Sequence, residues 1–267
     1  MFEELKKKGF EIELHSHAAA ILEKDFPEAI TELESTLGAM DVPITEIIGS
    51  GGGESKGTQR LRRALAAVGW RKVCFEIKKL INGVARESIS HEVDHVREFP
   101  NNKLVALEIE WNNKDPFFDR DLENFKRLHV EGAISVGVII TRGSSLQDEM
   151  LQLVSRFAAE RNIRSFADLE ALGLDPTKRQ RAAVMKRVER LNNPVDFQTA
   201  WTSHFVSDKF GAATTHWRKL QERVQRGVGN PCPLLLIGLP ASIVSFDPHA
   251  RIDQVEQDDA DETGDAG

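Results

Sequence analysis

Apolar and polar residues alternate most clearly between residues 92 and 141. Leu104-Val105-Ala106-Leu107-Glu108-Ile109-Glu110-Trp111 reads as a strand, with Val105, Leu107 and Ile109 on one face and Ala106, Glu108 and Glu110 on the other. Two carboxylates therefore share a face. Phe118, Leu122, Phe125 and Leu128 then recur at helical spacing, with Asp115 as N-cap, Pro116 at the first helical position and Gly132 near the end. Residues 133–141, which include Val136, Val138, Ile139 and Ile140, form an almost unbroken apolar run, the pattern of a strand buried on both faces. Strand, helix and strand in that order predict a parallel pair with a right-handed crossover. Upstream, Glu92-Val93-Asp94-His95-Val96 alternates like a strand, and residues 99–103 supply a turn, which sets Asp94 across from Glu108 and Glu110.

The rest of the chain is read more coarsely. Phe10, Ile12 and Leu14 predict a short strand over residues 8–14, followed by a helix over 18–37. A helix is expected from Thr58 as N-cap to Ala67 with Gly69 closing it, and others over 144–160, 176–191 and 215–225, before a strand at 234–237. No internal repeat and no linker divides the chain, so residues 1–252 are expected to form a single domain.

Charge changes the picture at one end only. The chain carries 35 Lys and Arg against 42 Asp and Glu, a net charge of −7. Seven of those acids lie at residues 253–267, which hold no Lys or Arg, so 35 acids balance 35 bases in the remainder. That acidic segment has almost no apolar residues and is expected to be a disordered tail. The two cysteines, Cys74 and Cys232, form no CxxC pair, which argues against structural zinc and for reduced thiols in the cytoplasm. No run of 18 apolar residues and no basic-then-apolar leader is present, so neither a membrane span nor a secretory signal is expected. The chain has no tyrosine, which excludes chemistry through a phosphotyrosine intermediate.

Asp94, thirteen residues, then Glu108-x-Glu110 is the arrangement richest in chemistry. Carboxylates that converge at a strand pair can hold Mg²⁺ through hard oxygen ligands, and a further carboxylate can act as general base. Acids on a strand face also serve solubility. Here Leu104 and Ala106 share the face, which puts the acids at the edge of a core, where adjacent like charges call for a cation. The rival is His15-Ser16-His17, a spacing that opens the metal site of barrel phosphoesterases or simply forms a surface pair; the helix-rich second half offers too few strands for such a barrel. The glycine-rich segment 49–57 is not a phosphate-binding P-loop, because Lys56 precedes Gly57, yet Lys56, Arg60, Arg62 and Arg63 offer either a phosphate grip or a solvated face. The same two readings apply to the 176–191 helix with Lys178, Arg179, Arg181, Lys186, Arg187 and Arg190.

The run Glu108-Ile-Glu-Trp-Asn-Asn-Lys-Asp-Pro-Phe-Phe-Asp-Arg-Asp-Leu, continued by Gly-Ala-Ile-Ser-Val-Gly-Val-Ile-Ile-Thr-Arg142, resembles type II restriction endonucleases of the BglII/BamHI/BstYI-like group. Phe210-Gly-Ala-Ala-Thr-Thr-His-Trp-Arg-Lys-Leu220, Arg226-Gly-Val-Gly-Asn-Pro-Cys-Pro-Leu-Leu235, Gly69-Trp70 and His91-Glu92-Val93-Asp94-His95-Val96 extend the likeness over about residues 45–240. The resemblance implies an α/β fold with a restriction-endonuclease-like core, a central mixed β-sheet flanked by helices, and a homodimer that cuts palindromic double-stranded DNA with Mg²⁺, commonly at GATC-centred sites. It implies Asp94 and Glu108 as metal-binding acids and sets Glu110 where nucleases of the wider fold often carry Lys. Some members use a further residue upstream, for which Glu76 is the nearest candidate. Lys114 is placed to stabilise charge on a phosphate or to be a solvated turn residue. Thr214, Thr215, His216 and Arg218, at a helix N-terminus, are candidate DNA contacts, with capping as the alternative task for Thr215. Three functions follow: a site-specific DNA endonuclease, a metal phosphoesterase built on His15 and His17, and a DNA-binding protein that does not cleave.

Overall fold

A computed structural model describes residues 1–49, 55–247 and 249–252. Most of the glycine-rich segment and all of the acidic segment 253–267 lie outside them. The chain divides into two compact units, one of residues Met1–Met40, Leu61–Asp148 and Ala212–Ser242, the other of Asp41–Arg60, Glu149–Gly211 and Ile243–Gly267.

The first unit is built on a sheet. Its strands are β1 (Glu11–His15), β3 (Arg71–Ile81), β4 (Val84–Phe99), β5 (Lys103–Glu110), β6 (Val136–Arg142) and β7 (Leu234–Leu239). Among the described residues they form six strands in the order β1-β7-β6-β5-β4-β3. β5, β6 and β7 run parallel, while β1 and the β3–β4 hairpin join antiparallel, so the sheet is mixed. The expected parallel pair is present, with Glu108 beside Ile139 in the β5–β6 register and α6 between the two strands in sequence. β6 is buried along its whole length, as its apolar run required. Helices α1 (Glu3–Lys7), α2 (Ala18–Asp25), α3 (Pro27–Gly38), α6 (Phe117–Val130) and α11 (Trp217–Gln225) belong to the same unit.

One face of this sheet carries a core of Val93, Val96, Ala106 and Ile139 from the strands, Phe118, Leu122, Phe125 and Leu128 from α6, and Trp217, Leu220 and Val224 from α11. Contact between α6 and β6 is close because residue 137 is glycine: a Cβ there would overlap the Phe125 ring. Each fully buried apolar side chain of this kind stabilises by about 1.5–3 kcal/mol. Arg223 on α11 ties the helix to Asp119 at 2.8 Å and to Asp115 at 3.2 Å. β4 is held at its other end by Glu32 of α3, which accepts from Trp70 Nε1 at 2.8 Å and pairs with Arg97 at 3.1 Å.

Three elements differ from expectation. The 18–37 helix is two helices, because Pro27 has no N–H to donate and the preceding Phe26 leaves helical geometry at φ −138°, ψ 48°. The short strand at 92–96 is the end of a 16-residue strand paired with β3. Asn82 and Gly83, at φ 51° and 78°, form the two-residue turn between them; this Asn-Gly step was the signal for a hairpin. Helix α6 begins at Phe117 with Pro116 as its N-cap, and Asp115 instead pairs with Arg223.

In the second unit, β2 (Val42–Pro43) and β8 (Val244–Ser245) pair in parallel. The unit also holds α4 (Ile44–Gly49), the start of α5 (Lys56–Ala67), most of α7 (Ser144–Glu160), α8 (Phe166–Ala171), α9 (Lys178–Val188) and α10 (Phe197–Lys209). At the start of α5 the Thr58 amide donates to Ser55 Oγ at 3.1 Å, so the cap sits three residues before the expected one. Thr177 and Gln180 form a complete capping box that starts the basic helix α9 at Lys178. Among the described residues no helix is long and apolar enough to cross a membrane.

Candidate active site

The acid pair of β5 continues the row begun by Ala106, and that row meets α6. Glu108 and Glu110 are 6% and 3% exposed, and Asp121 of α6, which faces them, is 1% exposed. Burial, together with the neighbouring Asp121 and Asp94, raises the Glu108 carboxyl to about 9. Burial and Asp121 raise Glu110 to about 8, and Asp121 itself is raised, chiefly by burial. Asp121 Oδ2 is buried with no hydrogen-bond partner. Three carboxyls crowded out of water, with Arg120 at 2.8 Å from Asp121 and 3.6 Å from Glu110, hold more potential negative charge than that one guanidinium offsets.

Asp94 stands at the rim, its side chain 52% exposed, with Lys72 at 3.5 Å. Its backbone amide donates to Glu108 Oε1 at 3.4 Å. The register places it there through an irregularity: between the pairs Arg71↔Val96 and Val73↔Val93, β3 supplies only Lys72 while β4 supplies Asp94 and His95. Such a bulge re-aims side chains beside it, and here both Val93 and Val96 enter the same core. His95 is buried, and burial lowers its pKa.

The loop after β5 is pinned from several sides. Asn113 Nδ2 donates to Glu110 Oε2 at 2.7 Å, and Thr141 Oγ1 donates to the Glu110 carbonyl at 2.7 Å. Arg142, fully buried, donates to the carbonyls of Trp111 at 2.8 Å and Thr215 at 2.7 Å, to Thr214 Oγ1 at 2.6 Å and to Gln147 Oε1 at 2.5 Å. Lys114 bridges Thr214, the Asp115 amide donates to the Ala213 carbonyl at 3.0 Å, and the Asn113 amide to Thr215 Oγ1 at 3.0 Å.

The structure therefore brings together Asp94, Glu108 and Glu110. It does not bring Glu76 to them: that residue sits on β3 opposite Ser90, with Lys78 at 2.9 Å and Ser88 Oγ donating at 3.1 Å. Four residues of strand, on the order of 13 Å, separate Ser90 from Asp94. Of the residues expected at DNA, Lys114 and Arg218 are exposed, Arg218 with Asp148 at 2.6 Å, whereas Thr215 and His216 are buried. His216, not Thr215, is the N-cap of α11, and the Thr215 hydroxyl serves the Asn113 loop instead. In the second unit, Arg60 donates to Glu46 and to the Asp41 carbonyl, and Lys56 lies beside Pro43, Thr45 and Glu46. His15 pairs with Glu13 at 3.1 Å, and His17 takes left-handed geometry ahead of α2.

Sequence reasoning missed Asp121, Arg120, Asn113 and Arg142. For Asp121 a signal existed: it falls three residues after Phe118 and four before Phe125, on the apolar stripe of the helix, where an acid is out of place unless it has a task. Among the described residues, no group of three or more His, Cys, Asp or Glu side chains is so arranged that it could hold a metal ion by itself. Mg²⁺ does not demand one, since it is usually held by one or two carboxylates, with waters and substrate phosphate completing the shell. No curated protein matches the chain. The model of the restriction endonuclease BglII/BglIII family matches residues 10–239, and the chain belongs to that family: it is a nuclease, a hydrolase that acts on bound double-stranded DNA.

Proposed function

We propose that this protein is a type II restriction endonuclease that cleaves a palindromic, GATC-centred DNA site as a homodimer in the cytoplasm, using Mg²⁺. The observation that carries the reading is the buried group of Glu108, Glu110 and Asp121 with Asp94 at its rim, whose raised carboxyl pKa values and unmet Asp121 oxygen suit a divalent cation. Asp94 and Glu108 would hold that cation. When bound, it supplies Lewis-acid polarisation of the phosphodiester and offsets the carboxylate charge. Glu110, oriented by Asn113, takes the proton from the water that attacks phosphorus, while the bond to the leaving oxygen breaks in line. Lys114, exposed on the pinned loop, contacts a neighbouring phosphate, and Arg218 adds positive charge for the DNA; Lys56 and Arg60, in the second unit, are separate phosphate contacts. Residues 1–252 carry this activity as one domain, and the acidic segment 253–267 is dispensable for it. A palindrome follows from two-fold symmetry, with each protomer cutting one strand.

The test is incubation with plasmid DNA and Mg²⁺, sequencing of the ends, and the solution mass with and without DNA. Discrete palindromic ends from a dimer, lost on chelation, are expected. Ends without a palindrome, or a monomer on its DNA, would overturn the proposal.

A further inference from the structure

Phosphoryl transfer builds negative charge on the non-bridging oxygens, yet the residues placed at this centre so far are acids. The position that follows Glu108 by two holds Glu110, not a lysine or arginine. Positive charge reaches the group from two sides. Lys72 is shared between Glu92 at 2.8 Å and Asp94 at 3.5 Å on the outer edge. Arg120 comes from α6: its Nε donates to Asp121 Oδ1 at 2.8 Å, its Nη2 lies 3.6 Å from Glu110 Oε1, and its guanidinium carbon sits 4.4 Å from the Phe117 ring centroid.

That arrangement fixes the stem and spares the fork. A guanidinium has five N–H donors in one plane. Buried Asp121 takes the Nε donor, and Phe117 stacking restricts the plane. The 3.6 Å approach to Glu110 is beyond hydrogen-bond length, and the side chain is 54% exposed. The guanidinium, held at Nε by Asp121 and with Nη2 beside Glu110, therefore stands at the solvent edge of the acid group, and its planar fork matches two phosphate oxygens.

We propose that Arg120 is a catalytic residue whose guanidinium donates to a non-bridging oxygen of the scissile phosphodiester, with Asp121 as the residue that positions it. Arg120 moves no proton and forms no bond; it meets charge that is larger in the transition state than in bound DNA. The inference rests on Asp94, Glu108 and Glu110 being the active centre.

The experiment compares the full-length protein with Arg120→Ala, Arg120→Lys, Asp121→Asn and Glu108→Ala in single-turnover cleavage of a duplex bearing the mapped site. DNA affinity is measured without divalent metal, and Tb³⁺ binding by luminescence. Arg120→Ala should cut about 100-fold more slowly, the size of effect seen when one such donor is removed. Its DNA affinity should change by less than about threefold, the mark of an interaction made in the transition state. Tb³⁺ binding should persist, millimolar guanidinium should return part of the rate to Arg120→Ala, and Arg120→Lys should fall between. Asp121→Asn should slow cleavage in the same direction, with less response to guanidinium. If Glu108→Ala is inactive while Arg120→Ala cuts at the wild-type rate, the proposal fails and the active centre stands. If Arg120→Ala is slow but neither guanidinium nor lysine restores rate, Arg120 is only a counter-ion for the acids and the proposal again fails. Wild-type rates in both variants would remove the active centre itself. Arg120→Gln, which is uncharged and keeps the first part of the stem, replaces alanine if that variant does not fold.

Discussion

The amide of Asp94 donates to the carboxylate of Glu108 at 3.4 Å, joining neighbouring strands at a place where β4 carries an extra residue against β3. The bond ties the exposed acid to the buried one, so a strand irregularity, not helix packing, sets their separation.

Asp94→Ala and Glu108→Ala should each reduce Mg²⁺-dependent cleavage by a factor of about 100 or more while DNA binding holds or tightens, since removing negative charge lessens phosphate repulsion. Glu110→Gln should follow closely, and retained activity in that variant would make Glu110 an orienting acceptor and not the base. Glu123, on α6 with Lys126 at 3.2 Å, should tolerate alanine. Gel-shift and cleavage assays on the same preparations give the comparison.

Stability without divalent metal should fall as pH rises. Glu108 is raised from 4.5 to about 9, so the folded state binds its proton more tightly than the unfolded chain does. The resulting stabilisation is complete below pH 4.5 and is lost as pH climbs through 9. Glu108→Gln imitates the protonated form, so it should melt several degrees above the wild type at pH 9, with the gap narrowing at pH 5. A wild type that melts higher at pH 9 in scanning calorimetry would contradict the buried-acid account.

Arg142→Ala should cost about 3–5 kcal/mol, because it leaves the buried carbonyls of Trp111 and Thr215 without their donor. Lysine should not rescue it, lacking a fork that reaches several acceptors at once. Urea unfolding reads the loss directly.

Gly137→Ala should destabilise by about 1–3 kcal/mol, since the added methyl overlaps the Phe125 ring and the packed interface gives way only by distortion. A neutral result in thermal melts would mean α6 shifts freely on the sheet.

A thiol reagent should label one cysteine in the native protein and two after unfolding. Cys74 is exposed, whereas Cys232 is buried and its thiol is pushed up to about 12. Mass mapping of the labelled peptide identifies which residue reacts.

How much of this was legible in the chain depends on the range of the interaction. The βαβ unit from β5 to β6 was readable from residues 104–141 alone, because burial on one or both faces imposes a period that local composition must obey. Family membership was readable from the same run. The Asn82-Gly83 turn is also local and was overlooked, which cost the β3–β4 hairpin. By contrast, the break at Pro27 was visible in type but not in consequence, since a proline at a first helical turn either starts a helix or ends one.

The amino-acid order by itself determined that two acids share a face beside an apolar helix, and that this face borders a core. It could not determine that Asp121 and Arg120 complete the group, nor that Arg142 clasps the loop between residues 111 and 215. Those partners lie tens of residues apart or on different elements, and their meeting depends on strand register and on how deeply α6 settles over Gly137. Side-chain period reports which way a residue faces. Only the packed tertiary structure decides what it finds there.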